Sequence, residues 1–502
     1  MTDSRTNKAK KNIVSSLLSQ VVMLACGIII PRLMIGAFGS EAYGATTSIA
    51  QFLAYITLLE GGIGGVARAV LYKPLAEKDM ESISSIMEEV KRFFRVVAWI
   101  FAGYVLILAC GFQAISRIAC MDWISTAVLV VVISISTFGQ YFIGISNSIL
   151  LQADQKTYIP NALAIGSTVL NAVCIVVLIH LDCNLIIVKL VSSLIFFMRP
   201  VILSLYVRKR YALHLYKTES KTTHLTQKWT GLGQHIAFFL HTNTDTAVLT
   251  VLANLSTVAV YSVYNMVISS IQGLAISFSS GMEALFGDML ARNEKKELHD
   301  SFGTYETILS VVSIVLFSTT ASLIVPFIRL YTEGVSDADY IQPVFALLMI
   351  LTALSYCLRQ PYHSMVIAAG RFKQTSWAAY GEAVINIVLS VILVVNYGLI
   401  GVAAATLIAT WFRFIYYVFY LSKHILSRDI KLFVKRFAIN AGTFLCNCAI
   451  GSLIVSRFPL HNYLWWAICG ALLVVAISTT TLGINLIFFR KDCRALVKRF
   501  IH

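Results

Sequence analysis

Apolar runs of about twenty residues or more follow one another along the whole chain, and each is long enough to cross the hydrocarbon core of a bilayer as a helix. Fourteen such runs cover residues 13–36, 43–70, 93–112, 123–151, 159–181, 184–206, 231–252, 258–287, 303–328, 342–369, 375–396, 399–421, 437–455 and 462–489. Backbone in lipid must satisfy its own hydrogen bonds, which leaves helices or closed barrels. Barrel strands would be about ten residues long with alternating polarity, and no such pattern occurs. The expectation is an all-α polytopic membrane protein of fourteen transmembrane helices. A hydrophobic share of 58% against 13% charged residues suits that reading.

The basic residues orient the chain. With the N-terminus inside, the outer loops carry only Arg117, Arg329 and Arg457, and the runs themselves carry six Lys plus Arg. The remaining 31 of the 40 fall in inner loops and tails, counting Arg95 at the inner end of the third run with its loop. One missed or invented helix would spoil this separation downstream, so its persistence to the C-terminus supports an even number of spans with both ends cytoplasmic. The net charge of +15 is thereby explained by membrane orientation, without nucleic acid as a partner.

The segment behind the basic N-terminus is too long for a signal-peptide core and reads as a retained first helix. The longer loops are inner ones. Within Tyr72–Arg92, the stretch PLAEKDMESISSIMEEVKRFF suits a helix with both charge signs on its wet face. ILSRDIKLFVKRF, after Ser422, suits a short basic amphipathic helix on the anionic inner leaflet. The ten cysteines are scattered without metal-ligand spacing and read as packing residues; Cys120 and Cys183 could meet near the outer side. A phosphate-binding GxxxxGK[ST] loop is absent, so nucleotide-driven transport by this chain is not expected, and no cofactor is implied.

Charged residues inside the runs carry the functional signal, because each costs roughly 2.5–3.5 kcal/mol at mid-membrane on insertion scales. They are Arg32, Glu60, Arg68, Lys189, Arg199, Asp245, Glu283, Asp288, Glu306, Arg359, Glu382 and Arg413. A lipid-facing shell around a charged interior is expected. An internal repeat adds organisation. ADQKTYIPNALAIGSTVLNAV from Ala153 is similar to GRFKQTSWAAYGEAVINIV from Gly370, and Arg199 falls opposite Arg413. The offset is six spans, which implies two six-helix bundles of parallel topology with a substrate site between them.

PRLMIGAFGSEAYG from Pro31, LLEGGIGGVAR (Leu58–Arg68), AAGRFK (Ala368–Lys373), Asn386 and YGLIGVAAAT (Tyr397–Thr406) occur in an order that resembles the polysaccharide-transporter branch of the MATE-like (MOP) superfamily, the Wzx-type lipid-linked oligosaccharide flippases. The resemblance implies an N-lobe over 1–206, a cytoplasmic linker over 207–230 and a C-lobe over 231–421. A basic linker over 422–436 and two extra helices with a tail over 437–502 complete the chain. It further implies a bacterial inner-membrane flippase and not an enzyme. Its substrate would be an undecaprenyl-pyrophosphate-linked oligosaccharide for O-antigen, capsule or exopolysaccharide. Membrane lipid, H+ or Na+, and the polysaccharide polymerase and export machinery would be its partners. The rival reading is a cation-coupled multidrug exporter of the same superfamily, whose cationic substrates would call for an acid-dominated cavity.

Against that background Arg32, Arg68 and Arg359 are candidate cavity cations for a pyrophosphate. Arg359 lies mid-helix beside Pro361, where a kink or break is expected; its competing role is an interhelical ion pair. Arg32 competes with snorkelling to the outer interface, and Arg68 with inner-side anchoring. Asp245 and His241, one turn apart on one helix face, are candidates for ion coupling. Glu60 and Glu382, each beside a glycine, are further candidates. The glycines at 61, 62, 64 and 65 suit close packing or bending.

Overall fold

A computed structural model describes residues 5–60, 63–211, 232–277, 279 and 282–489. Among them there is no strand. Eleven helices are long and apolar enough to cross a membrane. Two of these contain a break where separate spans are expected. In α1 (Arg5–Ala54) the break is Gly39, φ 83°, ψ 167°. In α13 (Phe372–His424) it is Gly398, φ 52°, ψ −126°. Both conformations suit glycine because a Cβ would clash there. Counting the halves separately, and adding α8 (Leu232–Leu252) at the seventh expected span, gives the fourteen segments of the sequence reading.

The chain divides into two compact units, each described by itself. The first takes the described residues to Phe239 together with Asn254–Ala259. It contains α1, a 3-10 turn at Tyr55–Glu60, α2 (Ile63–Glu77) and α3 (Met80–Ser116). The chain continues through α4 (Trp123–Gly139), a π turn at Gln140–Gly144 and α5 (Ile145–Ala153), then α6 (Tyr158–His180) and α7 (Leu185–Tyr211). The helix expected within the loop at 72–92 is continuous with the third span. Asp79 caps it by accepting from the Ser82 N–H at 3.0 Å. A core of Ile49, Ile63, Val90, Phe94, Phe101 and Leu150, among others, lies at its centre. Gly44, from the motif of the first break, packs against the backbone carbonyl of Leu255, where a Cβ has no room.

The second unit takes Leu240–Ala253 and the described residues from Val260. It holds most of α8 and α9 (Leu255–Ser277), then α10 (Met282–Ala291), α11 (Lys295–Tyr331), α12 (Pro343–Ala368), α13, α14 (Ile430–Val455) and α15 (Tyr463–Phe488). Its interior is polar to an unusual degree: Asp245, Glu306, Arg359, Glu382, Arg413 and Arg436 are all buried. Its surface carries Val395, Leu453 and Ile487, each more than two-thirds exposed. This is the arrangement lipid requires, with apolar side chains outward and polar and charged groups bonded to one another within.

The last two helices are built into this unit. Leu323 of α11 packs with Cys469, Leu473 and Ile477 of α15. Asn447 donates to Thr481 across α14 and α15 at 2.8 Å. On α11, Glu306 accepts from Arg428 at 2.8 Å, and Arg436 stands 3.5 Å away. The basic segment after Ser422 therefore turns two of its arginines inward, and from Ile430 it is already the start of α14.

Two expectations about the fold change. The helix α12 runs on through Pro361 without a break; Tyr362 and Ser364 around it are locked by burial. Cys120 and Cys183 are free thiols, as are the other described cysteines. Gly61, Gly62, most of the 207–230 linker and the C-terminal tail lie outside the described residues, as do the side chains of His241 and Lys373.

Candidate functional site

A cavity of about 960 Å³ opens in the first unit. Two irregular turns shape it. The 3-10 turn ends on Glu60, and the π turn carries Gln140 and Tyr141. Such turns re-aim side chains that a regular helix would point elsewhere. Here they bring the Tyr141 hydroxyl to 2.5 Å from Glu60 Oε1. Gly139 precedes the π turn and Gly144 ends it, and a Cβ there would run into Phe197 or into Gln140 and Pro200.

Two arginines face the same cavity. Arg68 Nη1 donates to Gln152 Oε1 at 2.8 Å. Arg199 donates to Ser167, to Thr168 Oγ1 at 2.8 Å and to the Ala164 carbonyl at 3.1 Å. All these partners are neutral. The guanidinium charges are oriented by hydrogen bonds to neutral groups, and the same wall carries one carboxylate, Glu60; two cations against one acid suit an anion. Arg32 is half-buried on α1 beside the cavity-lining Pro31, and does not itself line the cavity.

In the second unit the arginines are matched. Glu382, fully buried, takes Arg359 Nη1 on Oε1 and Arg413 Nη1 on Oε2, each at 2.7 Å. Arg413 also donates to the Tyr417 hydroxyl at 2.9 Å, and Arg359 lies over the Tyr356 ring at 4.8 Å. Here Arg359 is an interhelical tie. The repeat is legible in the contacts. Arg199 ties α7 to α6, and Arg413 ties the second half of α13 to its first half.

Asp245 occupies a third site, also in the second unit. Thr406 Oγ1 lies 3.0 Å from both carboxylate oxygens, and Tyr261 donates to Oδ2 at 3.2 Å. Asn386 Nδ2 donates to Thr406 Oγ1 at 2.8 Å, and the Val402 carbonyl is 3.0 Å from that same hydroxyl. The single Thr406 proton cannot serve three acceptors. Asn386 Oδ1 is buried without a hydrogen-bond partner. One carboxylate among neutral oxygens with more lone pairs than protons can hold a proton or a hard monovalent cation. Asn386 and Thr406 were visible in the sequence within the motifs of the resemblance; Tyr261 carried no signal against many other buried hydroxyls. Among the described residues no group of three His, Cys, Asp or Glu side chains is placed to hold a metal.

Comparison with known proteins agrees with this architecture. A family model described as MatE matches residues 231–392. No curated protein sequence matches. Among solved structures, the lipid II flippase MurJ in an inward closed conformation aligns with a TM-score of 0.70 and 16% identity, covering 96% of this chain and 99% of that one. A eukaryotic MATE transporter, AtDTX14, aligns with a TM-score of 0.59 and 12% identity over 83% of this chain and 96% of its own. The MATE multidrug transporter DinF-BH aligns with a TM-score of 0.55 and 16% identity, over 85% of this chain and 97% of its own. The fold is therefore that of MurJ and the MATE transporters.

Proposed function

We propose that this protein is a flippase for an anionic, lipid-linked oligosaccharide. The observation that carries the reading is the contrast between the two units. The hydrogen-bond partners of Arg68 and Arg199 are neutral, with Glu60 on the same cavity wall, whereas Arg359 and Arg413 are each bonded directly to Glu382. A pyrophosphate with attached sugars would find its counter-charge at Arg68 and Arg199 and its sugar hydroxyls among Gln140, Tyr141 and Gln152. The similar fold of a lipid II flippase supports an oligosaccharide-diphosphate substrate. Undecaprenyl-pyrophosphate repeat units for O-antigen, capsule or exopolysaccharide are the class in view, moved across a bacterial inner membrane with both termini cytoplasmic.

Asp245 is the proposed coupling site. A proton or Na+ bound among Asp245, Thr406 and Asn386 would bias alternating access if it binds the two states differently. Glu60, hydrogen-bonded to Tyr141, is the corresponding candidate in the first unit. The competing reading, a MATE-type exporter of cationic drugs, draws on the MatE match over 231–392 and on Glu60 in the cavity.

Transbilayer movement of an undecaprenyl-pyrophosphate oligosaccharide in proteoliposomes separates the two. Movement by the native protein that falls to the empty-liposome rate in Arg68→Gln supports the flippase. Cation-driven efflux of a fluorescent cationic dye, with no lipid movement, supports the exporter and removes the proposed substrate.

A further inference from the structure

The last turns of α13 and the start of α14 meet in a corner of the second unit that the transport reading leaves unused. A pocket of about 560 Å³ opens there, lined by Tyr416, Tyr420, Ser422, Lys423, His424 and Arg428. It carries two cations, Lys423 and Arg428, the second of them paired with Glu306. Asp429 also borders it, with its charge turned to the cap of α14, where it accepts from the Lys431 N–H at 2.9 Å.

Arg428 is the built element. Its side chain is 12% exposed. Nη1 is committed to Glu306 at 2.8 Å, and the guanidinium lies over the Phe302 ring at 5.5 Å. Nη2 is buried and has no hydrogen-bond partner. A buried guanidinium nitrogen without an acceptor costs desolvation energy that an incoming oxygen recovers. Lys423, exposed at the pocket edge, adds a second cation.

The walls fit an amphiphile better than a free ion. The Tyr416 and Tyr420 rings stack at 6.1 Å between centroids with 10° between planes, and Tyr420 packs on the His424 ring at 4.9 Å. Phe419 borders the pocket and is 52% exposed. Cations, stacked tyrosines and an exposed apolar ring on one short stretch are the mix of side chains that suits a membrane interface.

We propose that this pocket binds the phosphodiester headgroup of an anionic membrane phospholipid. Arg428 Nη2 and Lys423 donate to phosphate oxygens, the tyrosine pair flanks the glycerol, and the acyl chains leave past Phe419. The site is separate from the cavity of the first unit and does not rest on the transport reading. Because Arg428 also holds Glu306, an occupied pocket stabilises the α13–α14 corner.

The test is thermal unfolding of the purified full-length protein in a neutral detergent, titrated with dihexanoyl phosphatidylglycerol, dihexanoyl phosphatidylcholine or inorganic phosphate. Phosphatidylglycerol is expected to raise Tm saturably, with little effect of the other two. Lys423→Gln is expected to weaken the apparent affinity about fivefold, the worth of one cation at an anionic membrane surface. Arg428→Lys, which keeps a cation for Glu306 and removes the second nitrogen, is expected to weaken it at least as much. Equal protection by phosphatidylcholine overturns the anionic site. Equal protection by inorganic phosphate overturns the lipid as its source. Affinity unchanged in both variants overturns the location.

Discussion

Arg413 Nη1 and Glu382 Oε2 lie 2.7 Å apart, and the other oxygen of Glu382 is equally close to Arg359. One buried carboxylate thus organises two guanidiniums from two helices. Removing it leaves both charges uncompensated, which typically costs about 3–5 kcal/mol for a buried pair. Glu382→Gln is expected to lower Tm sharply and to reduce the yield of folded protein. Arg359→Gln should cost less, because Arg413 still compensates the acid. A double-mutant cycle between Arg359 and Glu382, read by thermal unfolding, is expected to show a coupling well above the few tenths that independent sites give.

Gly44 predicts a packing defect of a different kind. A Cβ there falls on the Leu255 carbonyl, which is backbone and cannot rotate away. Gly44→Ala is expected to destabilise by about 1–3 kcal/mol, as overpacking of a tight contact does. Gly65→Ala, at a position open to a Cβ, should be close to neutral in the same unfolding assay.

Asp154 predicts a pH effect. It sits between α5 and α6 and accepts from Lys156 at 2.6 Å, from Lys8 at 3.2 Å and from the Tyr211 hydroxyl. Burial on its own raises the carboxyl; the hydrogen bonds of Lys156 and Tyr211, the Lys156 charge and the Lys8 contact outweigh it and hold the group below its usual value. A depressed folded pKa gives stability that is present above the unfolded value, near 3.9, and is lost as pH falls through the folded value. Amide protection near Lys8 and Asn12, read as hydrogen exchange relative to the intrinsic rate at each pH, is therefore expected to hold down to about pH 4 and to fall below it. Asp154→Asn should exchange fast at neutral pH as well.

Asp245 predicts a loss of coupling without a loss of fold. Asp245→Asn keeps the shape and can still bond Thr406 and Tyr261, while losing the charge. Lipid movement in proteoliposomes driven by an imposed H+ or Na+ gradient is expected to become independent of that gradient. A gradient response that survives the substitution would place coupling elsewhere, Glu60 being the next candidate.

Much of the fold was legible because lipid makes its demands on composition and length. The two breaks at Gly39 and Gly398 fall between expected spans, since polar turn residues interrupt apolar runs there. The site was legible as a set of residue types, and the pairing was not. Arg359 and Glu382 are 23 residues apart, and nothing in either run says that they face each other. Glu60 owes its position to a 3-10 turn and Tyr141 to a π turn; both are departures from the period on which sequence reading depends. Pro361 misled in the opposite direction, because helices packed around α12 hold it straight enough to continue.

The attachment of Arg428 to Glu306 has a consequence for how the protein is made. The two residues are 122 positions apart. At roughly 5–20 residues per second of synthesis, Glu306 reaches the bilayer on the order of ten seconds before Arg428 leaves the ribosome. During that interval the carboxylate lacks the guanidinium that holds it in the finished protein. The closing of the second unit is then timed by the arrival of the segment before α14, and a nascent chain halted short of it would present the quality-control proteases of the membrane with an acid that has no counter-charge.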